Sequence, residues 1–384
     1  MALDADVLEQ FIDQVKRLVT EKLVPNEERL VEDDDIPDEI VADLKDLGFF
    51  GLSIPEEYGG LGLCLTDEAK IMMEFCQSSV AYRSRIGTNN GIGSQGLVID
   101  GNEQQKQRYL PGLASGEMIA SFALTEPGAG SDAGSLTTSA VRDGDHYLLN
   151  GTKRFITNAP QADLFTVMAR TDASTPGARG VSAFIVEADT PGITLGKKDK
   201  KMGQRGAHTS DVIFENCRIP ATARIGDEGH GFKTAMKVLD RGRLHISAVC
   251  IGQAERLLKD SLNYAIERKQ FGERIADFQL IQAMLADSRT EIYAARSMLL
   301  DATSRYDQGE RVSEEASCCK MFASEMVGRI ADRAVQIHGG AGYMADYAVE
   351  RFYRDVRLFR IYEGTTQIQQ LVIAKSMIRS AENS

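Results

Sequence analysis

At 384 residues, 43% hydrophobic and 26% charged, the chain is long enough for two or three domains with substantial cores. Its net charge of −12 argues against nucleic acid and anionic membrane as partners, although a local basic pocket can still take an anionic substrate. No apolar run is long enough to span a bilayer, and the six cysteines show no framework spacing, which reads as reduced thiols in a reducing, cytoplasmic compartment.

Residues 1–118 read as helices. The opening stretch carries an amphipathic pattern (Leu8, Phe11, Ile12, Val15, Leu18, Val19) with acids mixed in, and lacks the basic and apolar regions of a signal peptide. The acidic run Glu32-Asp33-Asp34-Asp35 reads as a solvated linker. Ile40, Leu44 and Leu47 then space as a helix that Gly48 ends, and Thr66-Asp67-Glu68 opens another that packs Ile71, Met72 and Phe75. Two more short helices are expected before Leu110-Pro111.

Over residues 119–231 the periodicity changes. Short strand-like runs (147–150, 164–169, 181–186, 211–214) are separated by turns at Asp143-Gly144-Asp145, Pro176-Gly177 and Pro191-Gly192. That pattern predicts a compact antiparallel β domain. Over residues 232–384 the helical period returns in four long apolar stripes, through Leu258 and Leu262, Ile281 and Leu285, Phe322 and Met326, and Ile368 and Leu371. They predict a helical bundle, so the fold class is α+β: helical, then antiparallel β, then a four-helix bundle.

Two glycine loops stand out. Thr125-Glu126-Pro127-Gly128-Ala129-Gly130-Ser131-Asp132 marks the change from helix to sheet and suits a pyrophosphate or a ring carbonyl. It is not a dinucleotide fingerprint, because the spacing is wrong and no βαβ unit follows. Gln336-Ile337-His338-Gly339-Gly340 follows a bundle helix and could take another phosphate; either loop could equally be plain turn chemistry. The five histidines are scattered with no ligand spacing, so no metal is expected, and His245 and His338 read as bundle or loop-edge residues. Near the C-terminus, Ile361-Tyr362-Glu363-Gly364-Thr365 sets a carboxylate between an apolar-aromatic pair and a Gly-Thr step; burial there would raise its pKa and make it a base for a weakly acidic carbon.

These two loops and this glutamate motif, together with Phe155-Ile156-Thr157-Asn158 and Glu267-Arg268-Lys269-Gln270-Phe271-Gly272, resemble the acyl-CoA dehydrogenase family, in register across essentially the whole chain. The resemblance implies an FAD enzyme that dehydrogenates acyl-CoA thioesters, a homotetramer built as a dimer of dimers, and an electron-transferring flavoprotein as electron acceptor. Glu363 would remove the α-proton while the β-hydrogen leaves as hydride to flavin N5, and the Glu363 backbone N–H would help hold the thioester oxygen.

By the same resemblance, Phe122, Leu124 and Thr125 would contact the flavin pyrimidine edge, and Ser131 the pyrophosphate or CoA side. Phe155 and Thr157 would flank the ring; many relatives have tryptophan at position 155, and this chain has no tryptophan at all. Arg268, Phe271, Gln279, Gln336, Ile337, Gly339 and Gly340 would hold the ADP part across a subunit interface, completed by Thr365 and Gln367. Asp240 and Arg243 match positions near CoA and the base, and Tyr362 and Gly364 flank the base on the substrate side. Gly242 occupies the position from which other members supply the catalytic glutamate, which leaves Glu363 as the base.

Substrate choice rests on Tyr82-Arg83-Ser84-Arg85, in the helix that closes the acyl pocket in relatives. Glutaryl-type members carry a Tyr-Arg-Ser whose arginine pairs with a distal carboxylate, but the serine they carry four positions later is Gly87 here. Arg83 and Arg85 face different sides of a helix, so one of them lines the pocket. A plain short-to-medium chain and a carboxylate-bearing, decarboxylating reading both stay open. A catalytically silent flavin- or CoA-binding subunit would have lost Glu363.

Overall fold

The structure, a computed structural model, describes residues 2–383. The N-terminal segment is helical: α1 (Ala5–Leu18), α2 (Glu27–Asp33), α3 (Asp38–Asp46), α4 (Leu65–Phe75), α5 (Val80–Asn90), α6 (Gln95–Asp100) and α7 (Glu103–Ser115). Three helices, not two, follow α4. The last starts at a capping box, in which Asn102 Oδ1 accepts from Gln105 N at 2.9 Å, and it runs through Pro111 to Ser115. A well-anchored start and a buried apolar face (Tyr109, Leu110, Leu113) outweigh the one hydrogen bond a proline forfeits in the last turns.

The middle segment holds β1 (Ala120–Ala123), β2 (Ser139–Asp143), β3 (His146–Thr157), β4 (Leu164–Arg170), β5 (Val181–Glu187), β6 (Ile193–Leu195), β7 (Thr209–Pro220) and β8 (Arg224–Ile225). The sheet order is β6-β7-β3-β2-β4-β5-β8, with β1 added on β4. The sheet is mainly antiparallel, as expected, but β1 lies parallel to β4, with Ala120 opposite Leu164, and β2 meets β4 in parallel at Ser139 and Arg170. Alternation along a strand records which face is buried, not the direction of the neighbour. Between β3 and β7 the register shifts twice, once over Lys153/Ile156. That bulge carries Phe155 with φ +59° and turns its ring out of the sheet.

The C-terminal segment is α8 (Gly231–Glu267), a small hairpin of β9 (Lys269–Gln270) and β10 (Glu273–Arg274), α9 (Gln279–Asp307), α10 (Ser313–His338), α11 (Ala348–Val356) and α12 (Thr366–Glu382). α8, α9 and α10 pack on one another and α12 packs on α10, leaving Leu371, Met377 and Ile378 exposed. Packing crosses the boundaries suggested by sequence texture. One apolar cluster joins Leu44, Phe49 and Phe75 of the N-terminal segment to Leu244, Ile251 and Leu299 of the bundle. The sheet has its own core around Phe165, Phe184 and Phe214.

The acidic run is no solvated linker. Asp34 caps α2 with φ +50° and takes the Gly206 N–H at 2.8 Å, and Asp35 takes Arg85 at 3.0 Å. Asp34 thereby clasps the N-terminal segment to the loop before β7, and Asp35 ties it to α5, because buried donors there need acceptors.

Candidate active site

A cavity of about 530 Å³ opens where the sheet, α5, α8 and the loop before α12 meet. Phe122, Leu124, Thr125, Phe155 and Thr157 supply the sheet side, Arg83 and Gly87 come from α5, and Gly242, Arg243 and His245 from α8. Tyr362, Glu363 and Gly364 close it from the loop.

Glu363 sits on a backbone with φ +52°, followed by Gly364 at φ +90°. Two successive left-handed residues are costly outside glycine and need holding. Gln369 Nε2 donates to Glu363 O (3.1 Å) and Gly364 O (3.0 Å), and Lys320 Nζ donates to Gly364 O at 2.7 Å. Thr365 Oγ1 accepts from Ile368 N at 3.3 Å, capping α12. The turn thereby thrusts the Glu363 side chain at α8. Its Oε2 is buried with no hydrogen-bond partner among the described residues. A Cβ on Gly242 would lie 2.4 Å from that oxygen, so a larger residue there would push the carboxylate from this position. Burial raises the Glu363 pKa, opposed by the charges of Arg83, Lys320 and Arg243. A carboxylate so poised, lacking a partner and able to gain one, suits abstraction of a proton from carbon.

Arg83, not Arg85, lines the cavity, since Arg85 is spent on Asp35. Arg83 Nε donates to His245 Nε2 at 3.0 Å. That ring nitrogen must therefore accept, so His245 is the neutral tautomer whose Nδ1–H donates to Glu68 Oε1 at 2.8 Å. Burial and the neighbouring Arg83 both lower the His245 pKa, which agrees with the neutral ring. Glu68 also receives Arg241; burial opposes its charge, yet Arg241 and His245 hold the carboxyl down at about 2. Among the described residues no carboxylate pairs with Arg83, whose guanidinium lies against Gly87.

Asp240 is not on the cavity wall. It takes Arg243 Nη1 at 2.6 Å and Ser313 Oγ at 2.5 Å, and so orients Arg243, which does line the cavity. Ser131 lies at the exposed rim. The remaining predicted cofactor residues gather elsewhere. Arg268, Phe271, Gln279, Gln336, Gly339 and Gly340 are exposed where α8 ends, α9 starts and α10 ends, with Ile337 packed beneath them against Ala265 and Ile275. Phe271 is 96% exposed at φ +54°. Thr365 caps its helix at the cavity loop, and Gln367 is exposed beside it.

Glu68, Lys320 and Gln369 were missed from the sequence as site residues, and His245, read there as a bundle or loop-edge residue, lines the cavity. Lys320 alone left a signal in the sequence, as a lysine inside an apolar stripe between Cys319 and Met321-Phe322.

Three family models match in order: acyl-CoA dehydrogenase N-terminal domain over residues 6–117, middle domain over 121–217 and C-terminal domain over 229–378. The CarC subunit of a caffeyl-CoA reductase–Etf complex from Acetobacterium woodii is 44% identical over 364 residues, 95% of each chain. The chain belongs to the acyl-CoA dehydrogenase family. Butyryl-CoA dehydrogenase from Megasphaera elsdenii superimposes with a TM-score of 0.94 at 34% identity, over 98% of this chain and 100% of that one. An acyl-CoA dehydrogenase from Bacillus anthracis solved with FAD gives 0.92 at 34% identity, over 99% of this chain and 68% of that one.

Acyl-CoA dehydrogenases are flavoprotein oxidoreductases acting on acyl-CoA, and their cofactor is FAD. The residues here fit that group. Phe122, Leu124 and Phe155 offer an apolar wall for a planar ring, with the hydroxyls of Thr125 and Thr157 at its edge. Phe155 is 58% exposed, with the Arg154 guanidinium 5.0 Å from its ring centroid, so an aromatic face is left open to be covered. Gly128 and Gly130 present backbone with open space beside it. No helix among the described residues is long and apolar enough to cross a membrane.

Proposed function

We propose that this acyl-CoA dehydrogenase removes hydrogen from C2 and C3 of an acyl-CoA thioester to give the trans-2-enoyl-CoA, with Glu363 as the base that takes the C2 proton. The observation that carries the reading is the unpartnered Glu363 carboxylate, raised in pKa by burial and aimed at the cavity across Gly242. When bound, FAD supplies the hydride acceptor for the C3 hydrogen. The backbone N–H of Glu363 finds no acceptor among the described residues, so it is free to donate to the thioester oxygen as negative charge builds there. Arg243 adds positive charge on the same wall. Electrons leave to an electron-transferring flavoprotein, which the Etf complex named for the Acetobacterium relative supports. The exposed ADP-binding set, remote from the cavity, supports a homotetramer in which a neighbouring subunit completes the site.

The test is anaerobic titration with acyl-CoA while following the flavin band. Glu363→Gln should stay yellow and FAD-loaded but lose about 10⁴-fold or more in reduction rate. Rapid bleaching of that variant would sink the base assignment.

A second reading is favoured by Arg83. A cation facing the cavity with no carboxylate at ion-pair distance among the described residues has donors to spare for an acceptor on the substrate. A chain whose far end carries a carboxylate or a hydroxylated aryl group, as in the caffeyl thioester named for the relative, would provide one. Titrating with butyryl-, octanoyl-, glutaryl- and 3-(hydroxyphenyl)propionyl-CoA separates the readings: preference for the polar-ended thioesters supports the anchor, and CO2 release would mark a decarboxylating glutaryl type.

A further inference from the structure

Lys320 is the buried cation that the reaction as drawn leaves without a task. It rises from α10 with no exposed surface, one of the largest fully buried side chains in the protein. An ammonium in such a place is expensive unless something compensates its charge. The two acids five residues away on its own helix are already taken, Glu315 by Arg305 at 2.8 Å and Glu325 by Arg360 at 3.2 Å and by Thr366 Oγ1 at 2.7 Å. What the ammonium does reach is the carbonyl of Gly364, at 2.7 Å, one residue beyond the base.

We infer that Lys320 is a positioning residue for Glu363: it fastens the left-handed turn that presents the base and holds a positive charge behind it. The inference rests on the proposed role of Glu363 as base. Three cations act on that carboxylate, Arg83 from α5, Arg243 from α8 and Lys320 from α10. Arg83 is bonded to His245, and Arg243 to Asp240. Lys320 alone is bonded to the backbone of the catalytic loop. Gln369 is the other clamp, and it is uncharged.

Charge and geometry here pull together. Burial raises the Glu363 pKa and the three cations restrain the rise, so removing one of them lets the value climb further. Lys320 is faced by the Cys250 thiol and Arg243 from α8, by Glu325 from its own helix and by Glu363 from the loop. Burial holds its ammonium down at about 8. Burial also pushes the Cys250 thiol up, leaving it neutral. A lysine kept only for packing should be replaceable by methionine with no loss of stability, because exchanging a buried charge for an apolar side chain of similar shape is often neutral or stabilising.

The experiment is stopped-flow flavin reduction of the FAD-loaded enzyme by a saturating thioester that bleaches the wild type, followed from about pH 5.5 to 9. Lys320→Met is expected to keep its FAD and melt at or above the wild-type temperature. Its limiting rate near neutrality should fall about tenfold or more, with thioester affinity within about threefold, and the acid limb should move up by about half a pH unit or more. Lys320→Arg, which keeps the charge, should return the limb towards the wild-type position. Lys320→Gln removes the charge while keeping an N–H donor, and carries the test alone if the methionine variant does not fold. An acid limb unmoved in the charge-free variant overturns the inference while leaving Glu363 as base. Failure of both variants to fold makes Lys320 a folding residue and overturns it too. A wild type that no thioester bleaches overturns the proposed reaction, and the role of Lys320 with it.

Discussion

At the residue scale, the Arg83 side of the cavity is governed by a chain of groups drawn from distant parts of the sequence. Arg241 neutralises Glu68, a neutral His245 donates to Glu68 through Nδ1 and accepts from Arg83 through Nε2, and Arg83 keeps its remaining donors for the cavity. Hydrogen bonds to a charged group contribute about 1.5–3 kcal/mol each. Arg83→Met should therefore cost about a hundredfold in kcat/KM on a thioester with a polar far end and leave butyryl-CoA within about threefold. Equal losses on every chain would remove the anchor idea. Tyr82 and Arg83 were legible as unusual for a fatty-acyl pocket. Which arginine faces inward was not, because only the fold brings Asp35 to Arg85 and His245 to Arg83.

At the element scale, the start of the sheet is fastened by a buried ion pair. Lys153 on β3 donates to Glu126 Oε1 at 2.8 Å and to Leu124 O at 3.1 Å, directly beneath the glycine loop. Glu126 also accepts from the backbone of Thr137 (2.7 Å) and Thr138 (2.9 Å). Burial opposes its charge, but Lys153 and these donors hold the carboxyl down at about 2, against an ordinary 4.5. The sign follows from that depression: the stability it contributes is fully present above about pH 4.5 and is lost as pH falls from there towards about 2. Glu126→Gln leaves the buried ammonium unpaired and should cost about 3 kcal/mol, releasing flavin at lower temperature and flattening the melting-temperature profile over that acid range. A variant whose profile still fell as steeply as the wild type's would show that other carboxylates control acid unfolding. The loop motif itself was readable from its glycines, but the lysine beneath it was not. A strand lysine flanked by Thr152 and Arg154 reads as exposed until the glycine loop is folded over it.

At the scale of the whole molecule, the cavity that holds the proposed base Glu363 is also lined by Phe122, Leu124 and Phe155, the proposed ring wall, while the residues expected to grip the ADP part lie exposed where α8 and α10 end. Phe271, Leu280 and Tyr343 are 96%, 81% and 84% exposed there. If a neighbouring subunit supplies that grip, dilution that dissociates the oligomer should release FAD. Arg268→Ala should weaken FAD retention about tenfold or more without moving Glu363. Sedimentation of diluted enzyme with flavin absorbance checks this: flavin that stays bound to a dissociated monomer would rule out a shared site.

The sequence alone determined the succession of helix, sheet and helix, and it singled out Glu363 as the proposed base and the motifs proposed to line the ring. Each of these is local, written in a periodicity of a few residues or in a short run around a turn. Tertiary structure decided the parallel placement of β1, the hydrophobic core shared by the first and last segments, the inward choice of Arg83 and the burial of Lys320 behind Glu363. The pairs that matter there lie far apart in the chain, 162 residues for Arg83 and His245, 177 for His245 and Glu68, and 44 for Lys320 and Gly364. No local pattern encodes such meetings. They follow from which faces the packed helices turn to one another, and the charges they bury are stable only once every partner has arrived.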